Sequence, residues 1–169
     1  MKTHRDDVHQ GGPGSAKSQG KTELFDLLRK DHEELRDIFK KIGKSSNKEV
    51  AIRQELFTQL ERELLNHMEA EERFFYTALE QVDESRSRVL ESYEEHQVAR
   101  TIIGAFTGLA VDDERWPAKV KVLSRLFRLH ADEEEDDLFK LAKKVLGNDQ
   151  FQGIVAKVQE LRRETKQSR

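Results

Sequence analysis

LLNHMEAEERFF, residues 64–75, is the stretch that decides the fold. Its apolar residues continue the three- to four-residue spacing of Leu56, Leu60 and Leu64 and lead on to Phe74 and Ala78, which predicts a helix with one inward stripe. Yet His67 sits in that stripe, and Glu71 follows it one helical turn later. Upstream, Ser46 and Glu49 stand in capping-box relation, so the helix is expected to open there and to run to about Val82.

Working outward, the whole chain has the same texture. Leu24, Leu28, Leu35, Ile38 and Ile42 predict a first helix from Thr22, with Gly43 as its C-terminal stop. Asp83 is positioned to cap a third helix whose stripe is Val89, Tyr93, Ala99, Ile103 and Phe106. After AVDDERWP, a fourth begins near Pro117, a residue suited to a first helical turn, and carries Val120, Leu123, Leu126, Phe127, Leu138, Leu141 and Val145. Gly147 and Asn148 then precede a shorter helix over 151–161, with Ile154, Val155 and Val158. No β alternation of useful length appears. The expected fold is all-α: an antiparallel up-down-up-down four-helix bundle (21–146) with an appended C-terminal helix (147–169). Residues 1–20, rich in Gly, Ser and polar groups, are expected to form a disordered tail. His4 and His9 fall in it and are read as incidental.

Composition excludes several classes of function. The chain has 169 residues, 37% charged and 36% hydrophobic, which suits one soluble domain. A net charge of −3 with interspersed signs offers no basic field for phosphate backbones, so nucleic acid is not an expected partner. The longest apolar stretch, around 102–111, is too short to span a membrane, and no leader pattern opens the chain. The absence of cysteine removes disulfides, thiolate metal sites and thiol nucleophiles, and fits a cytoplasmic location. Chemistry must come from His, Asp, Glu, Tyr and Ser.

Each long helix carries one histidine: His32, His67, His96 and His130. All four are in phase with the apolar stripes, and two are followed at i+4 by an acid, giving the pairs His67/Glu71 and His130/Glu134 on shared faces. In antiparallel neighbours, residues at one height are equidistant from the turn between them. His67 and His96 are centred on Gln81–Val82, and His96 and His130 on Asp113, both at expected breaks. His32 and His67 are centred on Glu49–Val50, past the expected loop, so the second helix must be offset by about a turn or the connection longer.

A lone inward histidine is more often a hydrogen-bonded core residue than a ligand. Four imidazoles and two carboxylates at one level of an apolar core are different. Unpaired, they would cost several kcal/mol per buried charge, by roughly the penalty for an uncompensated ion, whereas a metal pair satisfies all six. Six N/O ligands without sulfur, two of them carboxylates able to bridge, suit paired first-row ions, iron or manganese more than a closed tetrahedral zinc site. The Glu-x-x-His pattern of ferritin-like dimetal bundles is absent, since Arg29, Leu64, Tyr93 and Phe127 stand three before the histidines.

The motifs DHEEL around His32, HMEAEERFFY from His67, YEEH ending at His96 and HADEEEDDLF from His130 resemble the hemerythrin, or HHE cation-binding, domain over roughly residues 22–146. The resemblance implies an antiparallel four-helix bundle around an oxo- or hydroxo-bridged pair of iron ions. Carried over by position, His32 and His67 would bind one iron, His96 and His130 the other, with Glu71 and Glu134 bridging. The chain departs from the oxygen carriers of that family in two places. Arg100 stands where they have a second histidine on the third helix, and their last carboxylate aligns with Glu135. Glu134 is preferred here because its spacing repeats His67/Glu71. The four-histidine, two-carboxylate set implies a redox or sensing role toward oxygen, peroxide or nitric oxide rather than oxygen transport. Whether this is enzymatic turnover or a non-enzymatic iron or oxygen sensor stays open, as does a structural zinc-scavenging bundle, and no catalytic residue is assigned.

Lesser features are read as follows. Tyr93 could bond a bound oxygen species and Tyr76 or Glu63 could support the ligands, though packing is the simpler role for each. Arg100 could pair with a ligand carboxylate but is expected to reach solvent. Only one or two of Glu133–Asp137 can turn inward, and Trp116 should cover a bundle end.

Overall fold

In the computed structural model, which describes residues 16–167, every regular element among the described residues is helical. α1 spans Ala16–Lys44. α2 (Val50–Ala70), a π-helical turn (Glu71–Tyr76) and α3 (Thr77–Glu80) form one rod; α4 is Asp83–Gly104. α5 (Arg115–Glu133), a second π-helical turn (Glu134–Leu138) and α6 (Phe139–Val145) form another, and α7 is Asn148–Gln167. α1 packs against α2, α5 and α7, and α4 against α5, so the elements make a helical bundle. None of its helices is long and apolar enough to cross a membrane.

Several boundaries differ from the sequence reading for identifiable reasons. α1 begins at Ala16, inside the stretch assigned to the tail; residues 1–15 of that stretch, with His4 and His9, lie outside the described residues. Gly20 is buried against α7, where an added Cβ would come 2.8 Å from Gln152 Cγ, so a glycine permits the close approach of the two helices. Gly43 does not stop α1. The helix runs on to Lys44, and Ser45 closes it with its hydroxyl on the Ile42 carbonyl at 2.6 Å. Glu49 does reach back to the Ser46 N–H, at 2.6 Å, but the Ser46 hydroxyl accepts from Lys48 and α2 opens only at Val50. His67 is thus roughly a turn and a half farther from this loop than His32, and α2 overhangs α1. Asp83 is the first residue of α4 and not its cap. Gly108, at φ +76°, takes the left-handed turn in the connection between α4 and α5, and Pro117 lies in the first turn of α5. α7 is longer than expected in both directions.

The core is divided in two. One apolar half gathers Phe25, Phe75, Leu138, Phe139 and Phe151 with the inner face of α7; the other gathers Leu35, Ile38, Leu60, Leu64, Trp116 and Phe127. Trp116 closes its half beside Phe57 and Phe106, with the Arg53 guanidinium over its ring at 5.2 Å. Between the halves lies a polar layer at the level of His32.

Candidate metal centre

That layer forms where the two π-helical turns begin. Each starts on the acid that follows an inward histidine by four residues, Glu71 after His67 and Glu134 after His130. A π turn holds one residue more than an α turn, and it shifts everything beyond it around the axis. Phe75, Tyr76 and Leu79 are therefore buried where the regular period expected Phe74 and Ala78, and Phe139, Ala142 and Leu146 replace Leu141 and Val145. The Glu72 carbonyl, at such a turn, is taken up by the Thr77 hydroxyl at 2.7 Å and the Tyr93 hydroxyl at 3.3 Å. Tyr93 therefore braces the turn from outside the layer.

All six candidate residues meet in this layer, none more than 4% exposed. Glu71 is central. Its Oε1 lies 3.2 Å from His67 Nε2 and 3.8 Å from His32 Nε2, and its Oε2 lies 3.3 Å from His96 Nε2 and 3.9 Å from His130 Nε2. Glu134 Oε2 is 3.3 Å from His32 Nε2, and the His96 and His130 Nε2 atoms are 3.2 Å apart. Two three-residue groups could each hold an ion: His32, His67 and Glu71, and Glu71, His96 and His130. Glu134 stands beside the first group. Tyr76, fully buried, donates its hydroxyl to Glu71 Oε2 at 3.2 Å and comes within 3.5 Å of His96 and His130 Nε2, so it reaches the centre where Tyr93 does not.

Outside this cluster runs a ring of carboxylates. His32 Nδ1 bonds Glu135 at 2.8 Å, His96 Nδ1 bonds Glu72 at 2.8 Å and His130 Nδ1 bonds Glu95 at 2.7 Å, while Asp31 lies 3.5 Å from His67 Nδ1. Each rod thus supplies the acid that faces the next rod's histidine, around the full circle. An ionised carboxylate only accepts, so in the three close pairs Nδ1 carries a proton and Nε2 faces inward, where its lone pair serves an ion once any proton there is released. Arg100 grips Glu72 with two bonds of 2.7 and 2.9 Å, and Arg36 holds Glu135 at 3.2 Å. Arg100 therefore does not simply extend into solvent; it anchors the acid that orients His96. Glu63 is bonded by Arg62 and lines a cavity with Asp31 and His67.

The electrostatics are those of a charged cluster sealed in apolar walls. Burial opposes protonation of His32 and His130, but Glu134, Glu135 and Glu71 outweigh it for His32, and Glu71 and Glu95 raise His130 to about 9. Burial pushes Glu134 up and the Glu71 charge adds to it; for Glu71 burial is overcome by the surrounding histidines, His67 foremost, and its carboxyl is held well below the usual range. Burial and the two carboxylates raise the Tyr76 phenol.

A metal pair fits these atoms. His32 Nε2, His67 Nε2, Glu71 Oε1 and both Glu134 oxygens are buried with no hydrogen-bond partner, a concentration of orphaned polar atoms that native cores avoid. Ligand atoms about 2.1 Å from one ion at tetrahedral or octahedral angles lie about 3.0–3.4 Å apart. The contacts at 3.2–3.3 Å match that separation.

The hemerythrin HHE cation binding domain matches residues 23–142. A protein from Nostoc sp. named DNA nickase is 24% identical over 144 residues, covering 83% of this chain. The chain spans only 40% of that relative's length. No solved structure matches significantly. With most of its length, both π-helical turns and all four inward histidines inside the matched region, the chain belongs to the hemerythrin HHE cation-binding family.

Proposed function

We propose that this chain is a hemerythrin-like non-haem diiron protein, its rods running up-down-up-down, that reacts with oxygen, peroxide or nitric oxide in a redox or stress-response role. The observation that carries this reading is Glu71, whose two oxygens each face a different pair of imidazole Nε2 atoms. His32 and His67 would hold one iron and His96 and His130 the other, with Glu71 and Glu134 between them. The donor set of nitrogen and oxygen without sulfur favours iron, with manganese or zinc as weaker fits. Bound there, the iron pair supplies redox chemistry toward small oxygen and nitrogen oxide species.

The remaining work falls to the chain. Glu72, Glu95 and Glu135 fix the imidazole tautomers and raise their basicity. The two apolar halves of the core exclude water, and Tyr76 holds a proton at its Oη, pointed at Glu71. Beside His96 and His130 is a cavity of ≈ 10 Å³ walled by Leu64, Met68, Ala99 and Phe127. A space of at most one water excludes any organic substrate. The lack of cysteine and the net charge of −3 support a cytoplasmic role without nucleic acid, and nothing on this chain favours carrying over the Nostoc relative's name. The same closure, with no ligand residue more than 4% exposed, favours a second reading as a non-enzymatic iron or oxygen sensor.

Aerobic purification, metal analysis and an optical spectrum test the centre. Two irons per chain with near-ultraviolet absorption are expected; zinc alone, or His67→Ala and His130→Ala variants with undiminished iron, would overturn it. Stopped-flow mixing with peroxide or nitric oxide then divides the readings. Repeated turnover supports an enzyme, and a single bleaching event supports a sensor.

A further inference from the structure

Three of the four imidazoles have Nδ1 on a carboxylate at 2.7–2.8 Å, and His67 does not. Its Nδ1 is 3.5 Å from Asp31 Oδ2, is buried and has no hydrogen-bond partner. The acid's other neighbour comes from α7. Arg162 ion-pairs with that same Asp31 oxygen and donates to the Leu27 carbonyl at 3.4 Å, so the acid that should serve His67 is held by a cation from another helix. Two of the other ring carboxylates also meet arginines, yet keep their histidines: Glu72 Oε1 takes both His96 and Arg100, which holds the second Glu72 oxygen as well, and Glu135 Oε1 takes both His32 and Arg36. Beside Asp31, His67 and Arg162 lies a cavity of ≈ 160 Å³, which leaves these side chains room to rearrange.

We propose that Arg162 is a positioning residue through which the C-terminal helix weakens metal binding in the His32–His67 half of the centre relative to the His96–His130 half. The inference rests on the two-metal reading above. An imidazole whose Nδ1 has no acceptor has no fixed tautomer and is a weaker base at Nε2, and losing such a partner typically costs ten- to a hundredfold in metal affinity. α7 is anchored by Phe151, Ile154, Val155, Val158 and Leu161, and Arg162 follows the last of these, at the start of the final turns before Gln167. Helix ends open most readily. Opening the last turns of α7 would release Asp31 to close on His67, which couples the docking of α7 to the loading of one half-site.

The test uses cobalt(II) as probe, titrated into the metal-free full-length protein against a competing chelator. Wild type should bind two ions with unequal affinity. Arg162→Met keeps the aliphatic stem and should tighten the weaker site about tenfold while leaving the stronger unchanged. Arg162→Lys should retain wild-type behaviour, and Asp31→Asn placed on Arg162→Met should abolish the gain, which a packing effect would not do. A second readout needs no metal: the His67 Nδ1–H resonance of the metal-free protein should shift downfield and exchange more slowly in Arg162→Met. Equal affinities in wild type, no gain in Arg162→Met, or a gain that survives Asp31→Asn would overturn the proposal. If no variant binds cobalt, the two-metal reading fails, and the His67 resonance still decides whether Arg162 withholds Asp31.

Discussion

Glu134→Gln should move metal affinity and metal-free stability in opposite directions. Glu134 is fully buried, neither oxygen has a hydrogen-bond partner, and burial together with the Glu71 charge raises its pKa above the ordinary carboxylate value. An acid whose folded pKa is raised costs stability once the pH exceeds its unfolded value, so the metal-free protein carries this cost at neutral pH. Glutamine removes the charge at nearly constant volume. An unsatisfied buried polar group costs about 1–3 kcal/mol, of which the amide recovers a part, so a gain of about 1–2 kcal/mol is expected. For a chain of this size that raises the thermal midpoint by roughly 2–8 °C. Metal binding should suffer instead. A unit charge about 4 Å from a divalent ion at an effective dielectric near 20 is worth roughly 8 kcal/mol, and if half survives the cost of desolvation the loss is about a thousandfold in affinity. Glu135→Gln is the control, because the amide still accepts from His32 Nδ1; it should weaken binding only about tenfold and give no gain in metal-free stability. Urea unfolding of chelator-treated protein and a competitive metal titration measure both quantities. The reasoning is refuted if Glu134→Gln destabilises the metal-free protein, or if both variants lose the same affinity.

Three further outcomes follow from the packing and the charges. Phe151→Ala removes a fully buried ring set edge-on to Phe25 at 5.5 Å, and should cost about 3–5 kcal/mol by denaturant unfolding; a loss under about 1 kcal/mol would mean that α7 is not docked as described. Tyr76→Phe deletes the hydroxyl on Glu71 and should lower stability by about 1.5–3 kcal/mol, the range for a bond to a charged acceptor, and an unchanged midpoint would place that hydroxyl elsewhere. His130 is held at about 9, above its unfolded value, so its contribution is full below pH ~6.5 and is lost as the pH rises through about 9. The thermal midpoint of the metal-free protein should therefore fall over that window, whereas the loaded protein, with no proton left on that nitrogen, should not follow it.

The helices and the six inward polar residues were legible because both signals are local. Apolar spacing names a face, and an i+4 acid beside an inward histidine needs no tertiary information. The π-helical turns were not legible, although they left a trace. Past Glu71 the regular period selects Phe74 and Ala78, and the larger or more apolar neighbours Phe75, Tyr76 and Leu79 fit only if the phase slips by one residue. The same slip follows Glu134, where Phe139 and Ala142 displace Leu141. Two slips at equivalent places in two rods are better explained by the demands of the centre than by irregular packing, since each puts an acid inward and leaves the next acid facing a neighbouring rod.

The carboxylate ring explains why a run such as HADEEEDDLF cannot be read from one helix alone. Glu135 is one residue from Glu134 and so points about 100° around the axis, away from the middle of the layer and toward His32 Nδ1 on another rod. Asp31 and Glu95 precede inward histidines by one residue and likewise face the next rod, where Glu95 bonds His130 and Asp31 stays 3.5 Å from His67. Adjacent acids therefore divide between two tasks, one neutralising the centre and one orienting a histidine, and the division depends on which rods are neighbours. That dependence also accounts for Arg100, which periodicity directs to solvent. Once Glu72 is committed to His96, its charge lies at the rim of a sealed core, and a guanidinium with two matched donors holds both oxygens while sharing Oε1 with the imidazole.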